Sequence, residues 1–89
     1  MVHIFFAPSI QRHIATPERA IEARTLRDAL EAVFAAQPRL RGYILDDQGS
    51  LRQHLAVFID GRRVRDRQHL AEPLGEESRI YVVQALSGG

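Results

Sequence analysis

The sequence contains one strong helical pattern and no second pattern of comparable strength, which limits the folds open to the chain. Thr25 and Asp28 resemble a capping box in which Asp replaces the usual Glu. After this pair, apolar residues recur at helical spacing, at positions 26, 29, 30, 33 and 34. Pro38 lacks a backbone N–H and should end the helix. We therefore expect one main helix over residues 26–37.

Strand patterns precede this helix. Residues 2–7 are β-branched, aromatic or apolar, and the turn-forming pair at 8–9 follows them, which predicts a first strand that ends in a loop. Two alternating faces of this strand compete for burial. The more apolar face, which we expect to be buried, carries Val2, Ile4 and Phe6. A second strand within residues 18–23 would form a hairpin with the first.

Further strand patterns follow the helix. Residues 39–53 carry turn-forming residues and little periodicity, which predicts a loop with no more than a short helical turn. Residues 54–59 alternate, and Asp60-Gly61 supplies a tight hairpin turn into residues 62–65. Residues 79–85 form a nearly continuous apolar run, so we expect a last strand at the centre of a sheet.

These elements follow the order β-β-α-β-β-β within 89 residues, which suits one small domain. The expected fold is α+β, a β-grasp (ubiquitin-like) arrangement with a mixed sheet of four or five strands and one main helix on one face. A ferredoxin-like fold would need a second helix of similar quality, and nothing after Pro38 predicts one. We place the domain at residues 1–85 and a flexible tail at residues 86–89.

Composition excludes several classes of function. The chain has no cysteine, which rules out disulfides, thiol nucleophiles and thiolate metal sites. Twelve basic residues, all arginine, balance eleven acidic ones, so nucleic acid is not the expected partner. No apolar run approaches the ~20 residues that span a bilayer, and the first residues lack a signal-peptide pattern. We expect a cytoplasmic protein with no membrane partner.

No catalytic motif stands out either. None of the serines lies in a nucleophile elbow, and the chain has no glycine-rich phosphate loop. The histidines show no metal-ligand spacing or pairing with carboxylates; they are His3, His13, His54 and His69. We therefore expect neither an independent enzyme nor a metal site.

The candidate working group lies at the end of the chain. The last four residues, 86–89, can reach up to ~13 Å beyond the final strand at ~3.3 Å each. Because glycine has no Cβ, Gly88 and Gly89 can enter a channel too narrow for other residues. A carboxylate is a poor electrophile, but an adenylyl group from ATP would activate Gly89. Sulfide or a persulfide could then displace the adenylate and leave a C-terminal thiocarboxylate.

Several segments resemble the bacterial sulfur carriers exemplified by the molybdopterin-synthase small subunit (MoaD) and the thiamine sulfur carrier (ThiS). These segments are VHIFFAPSIQR, TLRDALEAVFAAQP, VFIDGRRV, PLGEESRIYVV and the terminal ALSGG. The resemblance covers nearly the whole chain, and the terminal segment is its specific part.

This resemblance implies a carrier that binds no cofactor itself. An E1-like activating enzyme would use ATP to adenylate Gly89 before thiocarboxylation. The tail would then enter a sulfur-accepting enzyme such as a molybdopterin-synthase large subunit. The family docks through the sheet face that the helix leaves uncovered, and Arg63 stands where an apolar docking residue is common. The implied partner contacts are Phe5 or Phe6, Arg63, Tyr81, Val83, Leu86 and Ser87.

Alternatives remain open at this point. Length favours molybdopterin synthesis as the destination of the sulfur, while carriers for thiamine, cysteine, methionine or siderophore sulfur also fit. A ubiquitin-like modifier joined to target lysines through Gly89, or a β-grasp binding module with an idle tail, would share the same features. A cluster of arginines could steer an acidic partner or contact phosphate; it comprises Arg62, Arg63, Arg65 and Arg67.

Overall fold

The computed structural model describes residues 1–12, 14–15 and 18–84, and within these ranges the chain forms five strands and three helices. The strands are β1 (Val2–Phe6), β2 (Arg19–Ile21), β3 (Leu55–Ile59), β4 (Arg62–Arg63) and β5 (Arg79–Gln84). The helices are α1 (Pro8–Gln11), α2 (Leu26–Ala36) and α3 (Pro38–Ile44). All five predicted strands are confirmed, some of them shorter than expected, and residue 85 lies outside the described residues. No helix in these ranges is long and apolar enough to cross a membrane.

The five strands form one mixed sheet in the order β2-β1-β5-β3-β4. β1 pairs antiparallel with β2 and parallel with β5, while β3 pairs antiparallel with β5 and with β4. The last strand therefore lies at the centre of the sheet, as its apolar run predicts. With α2 on one face of this sheet, the predicted β-grasp arrangement is confirmed.

One face of the sheet and α2 enclose the hydrophobic core. On β1, the predicted inward face is confirmed, since Val2, Ile4 and Phe6 are each no more than 5% exposed. The buried residues of α2 are those that the helical spacing predicts, namely Leu26, Ala29, Leu30, Val33 and Phe34. Full burial of one large aliphatic side chain contributes about 1.5–3 kcal/mol, so the contact between these two layers dominates the stability of the fold.

The start of α2 follows the predicted cap. The Thr25 Oγ1 accepts a hydrogen bond from the Asp28 N–H at 3.2 Å, and the Asp28 carboxylate lies in the first turn. A negative charge there interacts favourably with the helix dipole. The helix ends at Ala36, close to the predicted end at residue 37.

Two segments predicted as loops contain helices, which corrects the sequence-based prediction. Pro8 starts α1 and Pro38 starts α3. Proline ends a preceding helix, but it also fits the first position of a new helix, where its missing N–H would have no partner. In α3 the side chains of Leu40 and Ile44, one turn apart, are fully buried and fix the helix to the core.

The β3–β4 hairpin turns on Asp60 and Gly61, whose φ angles are +50° and +84°. Two positive φ angles in a two-residue loop indicate a type I′ turn, which favours Asp-Gly. The Asp60 carboxylate also accepts hydrogen bonds from the Arg79 N–H at 2.9 Å and the Ser78 Oγ–H at 3.0 Å. Ser78, the one buried polar residue in the described ranges, is thereby satisfied, and the turn is tied to the start of β5.

Arg27, in the first turn of α2, joins that helix to two loops. Its Nε donates to the carbonyl of His69 at 2.9 Å, and its Nη2 donates to the carbonyls of Gly49 at 2.8 Å and Gln68 at 3.0 Å. The Glu31 carboxylate lies 3.6 Å from Nη1 and balances the charge. One side chain thus fixes both long connections against the helix.

The loop that Arg27 contacts is organised by Asp66. The Asp66 carboxylate accepts hydrogen bonds from the backbone N–H groups of His69 at 2.9 Å, Gln68 at 3.2 Å and Ala71 at 3.4 Å. The His69 N–H bond is the main reason that the pKa of Asp66 lies below its ordinary value of 3.8. The ionised form is therefore favoured in the folded protein.

We predict that Asp66 makes the stability of the fold depend on acid pH. Because its folded pKa is lowered, its contribution is fully present above the unfolded pKa and is lost as the pH falls through the folded value. The difference in unfolding midpoint between wild type and Asp66→Asn, measured by thermal denaturation from pH 7 to pH 2, should therefore shrink below about pH 4. Asp47→Asn, which removes an exposed carboxylate from another loop, is the control. A wild-type to Asp66→Asn difference that is constant across this range would contradict the assignment.

Candidate functional site

The sheet face opposite α2 carries a row of side chains across four neighbouring strands. The strand register aligns Phe5 with Tyr81, Tyr81 with Phe58, and Phe58 with Arg63. Side chains alternate along a strand, and the neighbours of Phe5 and Tyr81 are buried against the helices. The row therefore projects from the other side of the sheet, which we call the open face.

The centre of the open face is a stacked aromatic pair. The ring centroids of Phe5 and Tyr81 lie 4.7 Å apart at an interplanar angle of 12°. The Arg79 Cζ lies 5.6 Å from the centroid of the Phe5 ring, so a cation borders the pair. An aromatic pair of this kind contributes about 0.5–1.5 kcal/mol beyond its buried area.

Tyr81 is the most accessible part of this face. It is 41% exposed, and Met1 is the one other large hydrophobic residue in the described ranges with comparable exposure. Tyrosine and arginine are enriched where protein partners bind, because each combines a large contact area with a polar group. A flat surface with an aromatic centre and a basic border is suited to binding another protein.

The structure brings four of the predicted partner contacts to the open face. Phe5, Arg63 and Tyr81 lie in the row itself, and Val83 follows Tyr81 on the same side of β5. The prediction that included Phe6 is wrong, because Phe6 is only 5% exposed and packs in the core. The β1 alternation that buries Phe6 is the one that leaves Phe5 on the open face.

The other four predicted site residues belong to the C-terminal segment. Leu86, Ser87, Gly88 and Gly89 lie outside the described residues. The described part of β5 ends at Gln84, at the same end of the sheet as Phe6, because β1 and β5 run parallel. The tail segment therefore follows the central strand of the sheet.

Three residues of the open face are not among the predicted contacts: His3, Phe58 and Arg79. His3 aligns with Arg79, next to the aromatic pair. Phe58 lies on β3 between Val57 and Ile59, whose burial sets the inward face of that strand. That alternation was the available signal, since it places Phe58 on the outer face.

The predicted arginine cluster divides into two parts. Arg67 has a structural role, since its Nη2 donates to the carbonyls of Arg52 at 2.6 Å and Leu55 at 2.8 Å. Arg62, Arg63 and Arg65 are exposed and lie on or next to the edge strand β4. These three side chains make this edge of the sheet basic, and Arg63 is the one aligned with Phe58 on the open face.

The fold and the open face define a small ubiquitin-like protein with a surface suited to protein partners. The model of the ThiS family matches residues 4–89, so the chain belongs to the ThiS family. This family consists of small ubiquitin-like sulfur carriers of the MoaD/ThiS type, and not of catalysts.

Solved structures show the same fold. SAMP1 from Haloferax volcanii is 21% identical, over 99% of this chain and 98% of that chain, with a TM-score of 0.76. The Amycolatopsis orientalis BexX/CysO complex contains a chain that is 13% identical, with complete coverage of both chains (100% and 100%) and a TM-score of 0.82. Urm1 from Sulfolobus solfataricus is 15% identical, over 92% of this chain and 97% of that chain, with a TM-score of 0.70. At these identities the likeness establishes the fold alone. No curated protein sequence matches this chain closely.

We predict that Phe5 and Tyr81 are energetically coupled. In a double-mutant cycle with Phe5→Ala and Tyr81→Ala, chemical denaturation should give a coupling energy of about 0.5–1.5 kcal/mol, because the stacked rings contact each other directly. A second cycle that combines Phe5→Ala with Arg39→Ala, an exposed residue of α3, should be additive. Equal coupling in the two cycles would contradict a direct interaction.

Proposed function

We propose that this protein is a sulfur carrier whose working group is the C-terminal carboxylate of Gly89. The observation that carries the proposal is the position of β5 in the chain. Its Tyr81 is exposed on the open face, and the Gly88-Gly89 segment follows the same strand in the sequence. The five residues that follow Gln84 can reach up to ~17 Å at ~3.3 Å each. A partner that binds the open face could therefore receive Gly89 in an active site some distance away.

The chemistry of the proposal needs two steps, and partner enzymes catalyse both. An oxygen of the Gly89 carboxylate attacks the α-phosphorus of ATP, and pyrophosphate leaves. A sulfide or persulfide sulfur then attacks the carbonyl carbon of the acyl-adenylate, and AMP leaves. With a persulfide donor, cleavage of its S–S bond by a thiol releases the thiocarboxylate and forms a disulfide. The domain itself supplies the docking surface, and Gly88 and Gly89 supply an end without side chains.

The partners follow from this chemistry. The first is an E1-like activating enzyme that consumes ATP, and the second is a sulfur-accepting enzyme, for which a molybdopterin-synthase large subunit is our first choice. Because the first step consumes ATP, we place that step in the cytoplasm. The similar BexX/CysO structure supports a paired arrangement, since it is a complex of two proteins.

A second candidate function is protein modification through Gly89. The specific observation in its favour is the similarity to SAMP1, which is described as a small archaeal modifier protein. Both functions would begin with adenylation of Gly89, and they differ in the nucleophile that follows. Sulfur would give a thiocarboxylate, whereas the amine of a target lysine would give an isopeptide.

We predict that co-expression with a competent E1-like enzyme and a sulfur donor will raise the intact mass by the difference between one sulfur and one oxygen. Fragmentation should place the change at Gly89. Deletion of Gly89 should abolish the mass change without altering the unfolding midpoint, because the tail follows the last strand. The distant loop variant Asp47→Asn is the control and should carry sulfur normally.

The outcome of this experiment separates the candidates. An unchanged mass, in the presence of an enzyme shown to adenylate Gly89, would contradict the sulfur-carrier proposal. Adducts to lysines of other proteins, lost on deletion of Gly89, would support the modifier function. Retention of sulfur after deletion of Gly89 would place the reactive group elsewhere.

A further inference from the structure

A cleft lies at the β4 edge of the sheet. Its volume is about 450 Å³, and its lining residues are Ile59, Arg62, Arg63, Val64, Arg65 and Glu72. The volume lies within the range of about 300–1,000 Å³ that is usual for ligand sites. Ile59 and Val64, at 5% and 4% exposure, form an apolar floor, and the three arginines surround it as exposed side chains. The cleft is therefore both apolar and cationic.

The described lining of this cleft carries more positive than negative charge. Three arginines face one carboxylate, that of Glu72. Elsewhere, arginines such as Arg27 and Arg67 donate to backbone carbonyls. In the described ranges, the side chains of the three cleft arginines make no hydrogen bond or ion pair with the protein. Each guanidinium therefore keeps its donors for an external acceptor.

The edge strand adds a second set of free groups. The Val64 N–H donates to the Val57 carbonyl at 2.8 Å, so these two residues form a hydrogen-bonded pair of the antiparallel ladder. Such pairs alternate with non-hydrogen-bonded ones, and the next pair is Phe58 with Arg63. The backbone N–H and C=O of Arg63 therefore point away from β3, in the plane of the sheet and outward from β4. An edge of this kind can accept an added strand.

We propose that this cleft binds an extended acidic segment of a partner protein, laid along β4 as an additional strand. Backbone groups of the segment would pair with those of Arg63, and its carboxylates would contact the guanidinium groups of Arg63 and Arg65. An apolar side chain of the segment would cover the floor. A free phosphate would use only the guanidinium groups, whereas the acidic segment also accounts for the apolar floor and the unpaired edge. The proposal does not depend on the chemistry of Gly89.

The test uses the full chain, labelled with ¹⁵N. Its amide signals are recorded by NMR as each of three probes is added. The probes are a synthetic hexapeptide of alternating valine and glutamate, the same peptide with lysine in place of glutamate, and inorganic phosphate. The glutamate peptide should shift the amide signals of residues 62–65 and bind more weakly as salt is raised. The lysine peptide and phosphate should leave these backbone signals unchanged.

A matched pair of double variants completes the test. Arg63→Gln with Arg65→Gln should weaken binding of the glutamate peptide about fivefold or more, because two exposed ion pairs are lost. Arg24→Gln with Arg39→Gln removes the same charge from exposed positions outside the cleft and should bind as wild type. Unshifted signals at residues 62–65, equal shifts with the lysine peptide or phosphate, or equal weakening in both double variants would each overturn the proposal.

Discussion

The parallel pairing of β1 with the central strand β5 is the interaction on which the rest of the structure depends. It joins the first strand, which begins at Val2, to the last strand, which ends at Gln84, in one sheet. The register of this pair aligns Ile4 with Ile80 in the core and Phe5 with Tyr81 on the opposite side. One pairing therefore sets both the packing against α2 and the aromatic centre of the open face. A shift by one residue would exchange the two faces.

Much of the fold could be predicted from the sequence, because its main elements carry strong local signals. The apolar residues that follow the Thr25 helix cap recur at helical spacing. The Asp60-Gly61 pair has the composition that a type I′ turn favours. The short helices α1 and α3 were missed for a physical reason. Each begins at a proline, and a proline after an apolar run predicts only the end of the preceding element. In α3, Gly42 also weakens the helical propensity, while burial of Leu40 and Ile44 stabilises the helix through tertiary packing.

The candidate site was predictable in part. Alternation on β1 separates Phe5 from Phe6, but the family resemblance indicated a strand and left that choice open. Alternation places Phe58 on the outer face of β3, but its position beside Tyr81, and that of Arg79 beside Phe5, depend on the register between distant segments. No local pattern contains that information. The cleft beside β4 likewise needs the position of Glu72, which reaches the edge through the connection that Asp66 and Arg27 organise.

The proposed function separates docking, which we assign to the sheet, from chemistry, which we assign to Gly89. Its central claim is that a partner recognises the folded domain and not the tail. The most direct measurement is calorimetric binding of the E1-like enzyme, without ATP, to wild type, to a chain lacking Gly88-Gly89, and to Tyr81→Ala. We predict that the shortened chain binds within about threefold of wild type and that Tyr81→Ala binds at least about tenfold more weakly, as loss of a central aromatic contact implies. Loss of binding on removal of the two glycines, with Tyr81→Ala unaffected, would contradict this account.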